Sequence, residues 1–234
     1  MANADSSLRA DYRPPKSEQT RARIVETALR LFKERGYDRT TMRAIAAEAG
    51  VSVGNAYYYF DSKEHLIQGF YHLVESLHAE AVVAILPEYR DFESRLRQTM
   101  LAWLDVAAPY HEFAAQFFKN AADPASPLSP FSAESAPARE ASIDIYRRVL
   151  DGSSAVVPPN LAAELPRLLW LYQMGIVLFW VHDRSAGTER SRDLVDRTVP
   201  LVARLVAISR YRLLRTTVDQ VVDLVRTLGP GQPS

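Results

Sequence analysis

The sequence predicts an all-α protein, with an N-terminal three-helix domain followed by a larger C-terminal helical domain. Three observations carry that expectation. Apolar residues recur at three- and four-residue spacing in one segment after another. Gly36, Gly50 and Gly152 stand where such segments would stop. No stretch shows the strict alternation of a half-buried strand, and no internal repeat is found.

No proline occurs between Pro15 and Pro87, and glycines cut that window into helix-sized pieces. A first helix is expected over 17–35, capped by Ser17, buried through Ile24, Val25, Ala28, Leu29 and Phe32, and stopped by a left-handed Gly36. A second begins after Thr40 or Thr41, carries Met42, Ile45, Ala46 and Ala49, and ends at Gly50. A third is short, Val53 to Tyr59, opened by Ser52. A fourth runs from Asp61 or Ser62 to about Leu86. The expected domains are thus a flexible arm over 1–16, a three-helix unit over 17–62 and a helical domain over 63–234, entered by a connecting helix over 63–86.

Further helices follow at Phe92–Leu104, at Phe113–Phe118 and at Ile143–Leu150. The stretch from Asp123 to Pro137 holds four prolines and four serines and reads as a mobile loop. Residues 161–181 are apolar nearly all round, so that helix needs covering on both sides. The next, through Leu194, Val195, Leu201, Val202 and Leu205, is similar but interrupted by Pro200, and a last stripe runs from Leu214 to Leu228.

Composition excludes several classes. The 234 residues are 47% hydrophobic and 24% charged, ordinary for a folded soluble protein. With no cysteine there is no disulfide scaffold, thiolate metal site or cysteine nucleophile. The first 16 residues lack an apolar signal core, which predicts a cytoplasmic protein. The longest apolar stretch, Leu168 to Val181, contains Gln173 and is too short to span a bilayer, so no membrane partner is expected. Net charge is zero, yet residues 1–63 hold 11 Lys+Arg against 8 Asp+Glu and the remainder 17 against 20. A mildly basic front and an acidic back suggest divided labour.

Residues 40–66, TTMRAIAAEAGVSVGNAYYYFDSKEHL, are the informative segment. Two short helices meet at a tight turn at Gly50–Val51, with Ala46 and Ala47 small enough for a close crossing: helix-turn-helix anatomy. The second helix offers Ser52, Val53, Asn55, Tyr57, Tyr58 and Tyr59, groups suited to phosphate oxygens and base edges. Three consecutive helical tyrosines point three ways, so they cannot all be core. Gly54 suits either a close backbone approach to DNA or a turn.

This segment resembles the DNA-binding signature of the TetR (tetracycline-repressor-like) transcriptional regulators, through LFKERGYDRTT, IAAEAGVSVGNAYYYF and SKEHL. The likeness covers about residues 17 to 70; the remainder is similar only in length and helical layout. It implies that Thr40 or Thr41 bonds phosphate and that Val53, Gly54 and Asn55 face major-groove bases. It also implies that Tyr57, Tyr58 and Tyr59 contact phosphate, sugar or thymine methyls, and that Lys63 binds phosphate. Many relatives carry basic residues where Val53 and Asp61 stand here. Phosphate attraction is therefore expected to draw on Arg9, Arg13, Lys16, Arg21, Arg23 or Arg43.

Other chemistry finds little footing. Gly50-Val51-Ser52-Val53-Gly54 matches the G-x-S-x-G elbow of hydrolases, but a helix precedes it where a strand is required. The histidines form no i,i+4 pair and no HExxH, and no glycine loop cradles a phosphate, so neither metal nor cofactor is expected. His72 and Glu75 read as a surface pair. An enzyme would need catalytic side chains that do not assemble; a helical module binding protein through the helix-turn-helix is the other alternative.

The back domain has excess apolar helix surface, which suggests a homodimer through a four-helix contact. The resemblance places that contact at about 160–184 and 190–209. Its aromatic supply suggests a small-molecule effector site between helices. Trp103, Phe113, Phe117, Phe118, Tyr146, Tyr172, Met174 and Trp180 are candidate walls, with His111, Gln173 and His182 as polar anchors. Core packing is the competing role for each. The expected function is a ligand-responsive, dimeric DNA-binding repressor of a double-stranded operator.

Overall fold

A computed structural model describes residues 15–123 and 126–211, together with 219, 220, 223 and 227; the side chains of 115–117, 119 and 120 lie outside the described set. So do residues 1–14 of the expected arm, with Arg9 and Arg13, and most of the stripe from 212 onward. The described residues include no strand; nine α-helices have both ends among them, α1 Lys16–Arg35, α2 Met42–Glu48, α3 Val53–Tyr59, α4 Lys63–Ile85, α5 Phe92–Ala107, α6 His111–Ala121, α7 Ala136–Asp151, α8 Pro159–His182 and α9 Glu189–Ile208, and residues 219, 220, 223 and 227 are helical as well. They form two compact units, residues 1–70 and 71–234, so α4 starts in one and continues in the other. The division falls inside α4 because its first turns pack on the front unit: a Cβ added at Gly69 would lie 2.9 Å from Phe60 and 3.1 Å from Val25.

Local signals set the front unit. Thr41 caps α2 by accepting the Ala44 amide at 3.2 Å, and Ser52 caps α3 through the Asn55 amide at 3.1 Å. Gly50 takes φ 65° and turns the chain between the two helices. α1 begins one residue before the expected Ser17 cap, because Pro15 already supplies an extended entry and has no amide to leave unpaired. Gly36 takes the expected positive φ, 84°, with ψ 154°; its amide bonds the Phe32 carbonyl and the chain turns through 37–39. Ile24, Ala28 and Phe32 of α1 are fully buried with Ile45, Ala46 and Ala56. Burying each large side chain contributes about 1.5–3 kcal/mol.

The second unit has one core, shared by Leu96, Met100 and Leu104 of α5, Tyr146 and Val149 of α7, Leu169 and Trp170 of α8, and Val195 and Val199 of α9. Arg95 is buried at its edge and donates to four carbonyls: Val149 at 2.9 Å, Leu86 at 2.8 Å, Tyr89 at 2.9 Å and Arg148 at 2.7 Å. One of these, Val149, is an orphan acceptor at the end of α7, and Arg148 there also accepts the Gly152 amide. A Cβ at Gly152 would come within 2.2 Å of the same guanidinium, so the glycine after α7 is what admits it.

One expectation is refined here and one changes. Residues 126–135 are a loop, as expected, and it is built of successive turns. The hydroxyls of Ser126, Ser129 and Ser132 accept backbone amides, and Arg139 donates to the Pro130 and Ser132 carbonyls. Pro200 does not interrupt its helix: α9 runs through it, as α8 runs through Pro166, each supported by packing on both flanks. Between α8 and α9 the buried Asp183 carboxylate accepts the amides and hydroxyls of both Ser185 and Ser191, at 2.7–2.9 Å, while Gly187 and Thr188 take positive φ. Burial alone would raise this carboxyl, but those four bonds outweigh it and hold it at about 2.

Candidate nucleic-acid interface and ligand domain

In the front unit α3 presents a face without a single charged residue. Ala56 is buried and anchors the helix, while Val53, Gly54, Asn55, Tyr57 and Tyr58 are exposed. Tyr58 is 80% exposed and Tyr57 47%. Tyr59 is half-buried, edge-on to Tyr58 with ring centroids 5.2 Å apart. Gly54 has no positive φ, and a Cβ there would meet nothing within 4 Å. A turn requirement therefore does not explain this glycine.

Thr40 has to be withdrawn from the surface set. It is 1% exposed, and its hydroxyl donates to the Gly36 carbonyl at 2.8 Å, with the Leu31 carbonyl at 3.3 Å. It fastens the end of α1 and cannot reach a phosphate. Thr41, exposed beside it, uses its oxygen as the α2 cap and keeps its hydroxyl hydrogen to donate. Lys16, Arg21, Arg23 and Arg43 are exposed, and Arg21 lies 5.1 Å over the Phe60 ring.

Lys63, at the start of α4, is half-buried on Tyr37. Its ammonium donates to the Tyr37 carbonyl at 2.9 Å and sits 4.2 Å from the ring centroid, leaving two of three donors. The Tyr37 hydroxyl donates to Glu64 Oε1 at 2.8 Å. Burial, then that bond, pushes the phenol up. Burial would raise Glu64 as well, but hydrogen bonds from Ser62, its own amide and Tyr37 leave it below the ordinary carboxylate value. Asp61, the acidic departure from the family pattern, is 3.5 Å from His65 one turn on.

In the second unit the expected ligand residues fall into separate groups. Trp180 is buried between Trp103 and His111, with ring centroids 5.3 and 4.8 Å away, and His111 Nε2 is 2.7 Å from the Trp180 carbonyl. Phe118 meets His182 edge-on at 5.8 Å; His182 is exposed and bonds the Leu178 carbonyl. Phe113 is buried, Met174 half-buried, and the Phe117 side chain lies outside the described set. Tyr172 pairs with Thr198 at 2.5 Å. Tyr146 is fully buried and donates to Gln173 Oε1 at 2.9 Å, with Met100 Sδ at 3.4 Å. A cleft of about 220 Å³ opens elsewhere on the unit, lined by Arg139, Glu140, Ile143 and Arg147 of α7 and Ala163, Glu164 and Arg167 of α8. None of the expected ligand residues borders it.

Glu75 was expected as a surface partner of His72. It turns inward instead, and Oε2 accepts the Ser142 hydroxyl of α7. Together with His78, Thr99, Ser142, Tyr146 and Gln173 it makes a polar layer through an otherwise apolar core. The signal for His78 was present: Phe70, Val74, His78 and Val82 form one buried i,i+4 row. Nothing local pointed to Glu75, whose partner lies 67 residues away.

An exposed apolar stripe runs along each of the last two helices. On α8 it is Leu171, Leu178 and Phe179 beside Gly175; on α9 it is Leu201, Leu205 and Ile208, with Leu205 64% exposed. No helix among the described residues is long and apolar enough to cross a membrane, and no metal-ligand cluster is found among them.

The helix-turn-helix and the helical second unit together have the architecture of a transcriptional regulator. Residues 24–69 match the family described as bacterial regulatory proteins, tetR family, and residues 95–228 match the tetracyclin repressor-like C-terminal domain. The chain belongs to the TetR family. It is 45% identical over 62 residues to the HTH-type transcriptional regulator TtgR of Pseudomonas putida, a match covering 26% of this chain and 28% of TtgR. It is 44% identical over 50 residues to the HTH-type transcriptional repressor KstR of Rhodococcus jostii, covering 21% and 24%. The chain thus matches about a quarter of the length of these regulators. A TetR-family structure from Syntrophomonas wolfei shares the fold with TM-score 0.63 at 19% identity, covering 80% of this chain and 96% of that one.

Proposed function

We propose that this chain is a homodimeric, cytoplasmic repressor without catalytic activity, which reads a double-stranded operator through α3 and releases it when a small apolar or aromatic effector binds the second unit. The observation that carries this reading is the exposed, uncharged face of α3. Exposed Val53 can meet a thymine methyl, Asn55 can pair with a base edge, and the Tyr57 and Tyr58 hydroxyls can bond phosphates. Thr41, Arg43 and Lys63 supply phosphate contacts around it.

One seven-residue helix reads few base pairs, so specificity calls for a second copy. The apolar stripes of α8 and α9 support such a pairing, because a four-helix contact would bury both. Two recognition helices would then sit one DNA turn, about 34–36 Å, or a multiple of it apart. An effector acts by binding the DNA-competent and DNA-incompetent states with different affinity. α4, which continues from one unit into the other, is the element to carry that difference.

The test is fluorescence anisotropy of the full chain with labelled DNA from its own upstream region, beside scrambled DNA, at two salt concentrations. Tight, selective, salt-sensitive binding with two subunits per site is the expected result. Failure to select any sequence from a random pool, with the protein folded, would overturn the proposal.

A further inference from the structure

We infer that the polar layer of the second unit is the effector's anchoring point, and that it recognises a protonated amine carried on an apolar body, held by Glu75 and His78. This rests on the reading that the second unit binds an effector, and it names the chemistry of that ligand.

His78 is fully buried, and its Nε2 lies 3.0 Å from the Thr99 carbonyl. A carbonyl oxygen only accepts, so Nε2 carries the hydrogen and Nδ1 is a lone-pair acceptor. Burial lowers the ring to about 4 despite that carbonyl, so it stays neutral at physiological pH. Glu75 stands three residues earlier on α4, adjacent on the helix surface. Its Oε2 is taken by Ser142, while Oε1 is enclosed. Among the described residues neither Glu75 Oε1 nor His78 Nδ1 has a hydrogen-bond partner, and the enclosed Thr99 Oγ1 has none either. No lysine or arginine among them pairs with Glu75.

Glu75 Oε1 and His78 Nδ1 are therefore two acceptors without a donor, the Thr99 hydroxyl can give or accept, and the carboxyl has no cation. Leaving such groups buried and unpaired is costly, because each gives up its water without a replacement partner. An ammonium group offers three donors and the missing positive charge. A carboxylate or phosphate ligand would bring further acceptors and repulsion, and a ligand without donors would leave both acceptors unpaired. Tyr146, held by Gln173, belongs to the same layer: burial chiefly, and Glu75 after it, pushes its phenol up. Its ring offers a cation a favourable face. Glu75 as a residue is half-buried, so its side chain runs from the surface of α4 to the enclosed Oε1.

The experiment uses the full chain and calorimetric titration with two sets of probes, each keeping one body and changing the head: 4-phenylbutylamine, 4-phenylbutanol and 4-phenylbutyrate, then octylamine, octanol and octanoate. Amines should bind saturably, alcohols about tenfold more weakly, and carboxylates less than either. Amine affinity should rise between pH 6 and 8. Of the layer's titratable groups, Glu75, His78 and Tyr146, and of the neighbouring Tyr71 and Tyr172, only Glu75 ionises in that window, burial having raised it to about 7. Glu75→Gln should weaken amine binding about ten- to a hundredfold and abolish that pH dependence. Should Glu75→Gln not fold, the wild-type pH series decides alone, and a flat profile overturns the proposal. Carboxylates binding as well as amines, unchanged binding in Glu75→Gln, or no amine binding would also overturn it. Alcohols or carboxylates that bind and weaken DNA affinity would leave the effector reading standing without the amine; no binding and no effect on DNA would remove both.

Discussion

Replacing Arg95 by methionine keeps the apolar stem and removes the guanidinium that ties α5 to the ends of two other elements. Four carbonyls lose this donor: Leu86 and Arg148 still accept the Tyr89 and Gly152 amides, whereas Tyr89 before α5 and Val149 at the end of α7 are left without one. Each enclosed carbonyl left unpaired costs about 1–3 kcal/mol. Against that stands relief from holding a cation in a site that disfavours its charge. A net loss of about 3–5 kcal/mol follows, as when one partner of a buried ionic contact is removed. In a unit of this size each kcal/mol shifts Tm by about 2–4 °C, so the midpoint should fall by about 6–20 °C. Lysine has three donors on one atom and cannot span four carbonyls, so Arg95→Lys should recover only part of the loss. The assay is urea unfolding followed by tryptophan fluorescence. Trp103, Trp170 and Trp180 all lie in the second unit, so the signal reports that unit alone. A loss below about 1 kcal/mol for Arg95→Met would show that water replaces the guanidinium and that the reasoning is wrong.

Four further outcomes are expected. Asp183→Ala should cost about 2 kcal/mol or more by removing the bonds that fix the α8–α9 turn. The Asp183 carboxyl is depressed from 3.8 to about 2 on folding, so its stabilisation is complete above pH 3.8 and lost as pH falls through about 2; acid unfolding of the variant should lack this component. Lys63→Ala should weaken binding to all DNA sequences and flatten the salt slope by about one unit, and an unaltered slope would remove Lys63 from the phosphate contacts. Asn55→Ala should change sequence preference in a binding selection; equal weakening at every site would contradict base reading. Leu205→Glu should yield monomers in sedimentation velocity, and an unaltered sedimentation coefficient would argue against pairing through the α9 stripe.

The front unit was legible because its signals are local. Thr41 and Ser52 sit one residue before their helices, Gly50 marks the turn, and Ala46 and Ala56 fall on the buried rows. Thr40 was not, since adjacent threonines differ only in which one meets the Leu31 and Gly36 carbonyls, a matter of how α1 ends. The aromatic residues of the second unit were legible as buried but not as a site. Periodicity shows which side chains leave water, not whether they enclose a space or one another, and Trp180 against Trp103 and His111 is packing. Arg95 lay hidden in the apolar row of Phe92, Leu96 and Thr99, and its four acceptors come from segments up to 54 residues away. The serines at every third position from 126 to 135 were a periodic signal of ordered turns, masked by the prolines between them.

The uncharged face of α3 bears on how an operator would be found. Counterion release accounts for most of the hold a protein has on arbitrary DNA, and it fades as salt rises. Here the cations stand on α1, α2 and the start of α4, while the residues offered to the bases are valine, glycine, asparagine and tyrosine. Attraction and discrimination would therefore reside on different side chains. Raising ionic strength would strip away the many indifferent encounters faster than the one correct fit, so fidelity would improve even as overall occupancy falls.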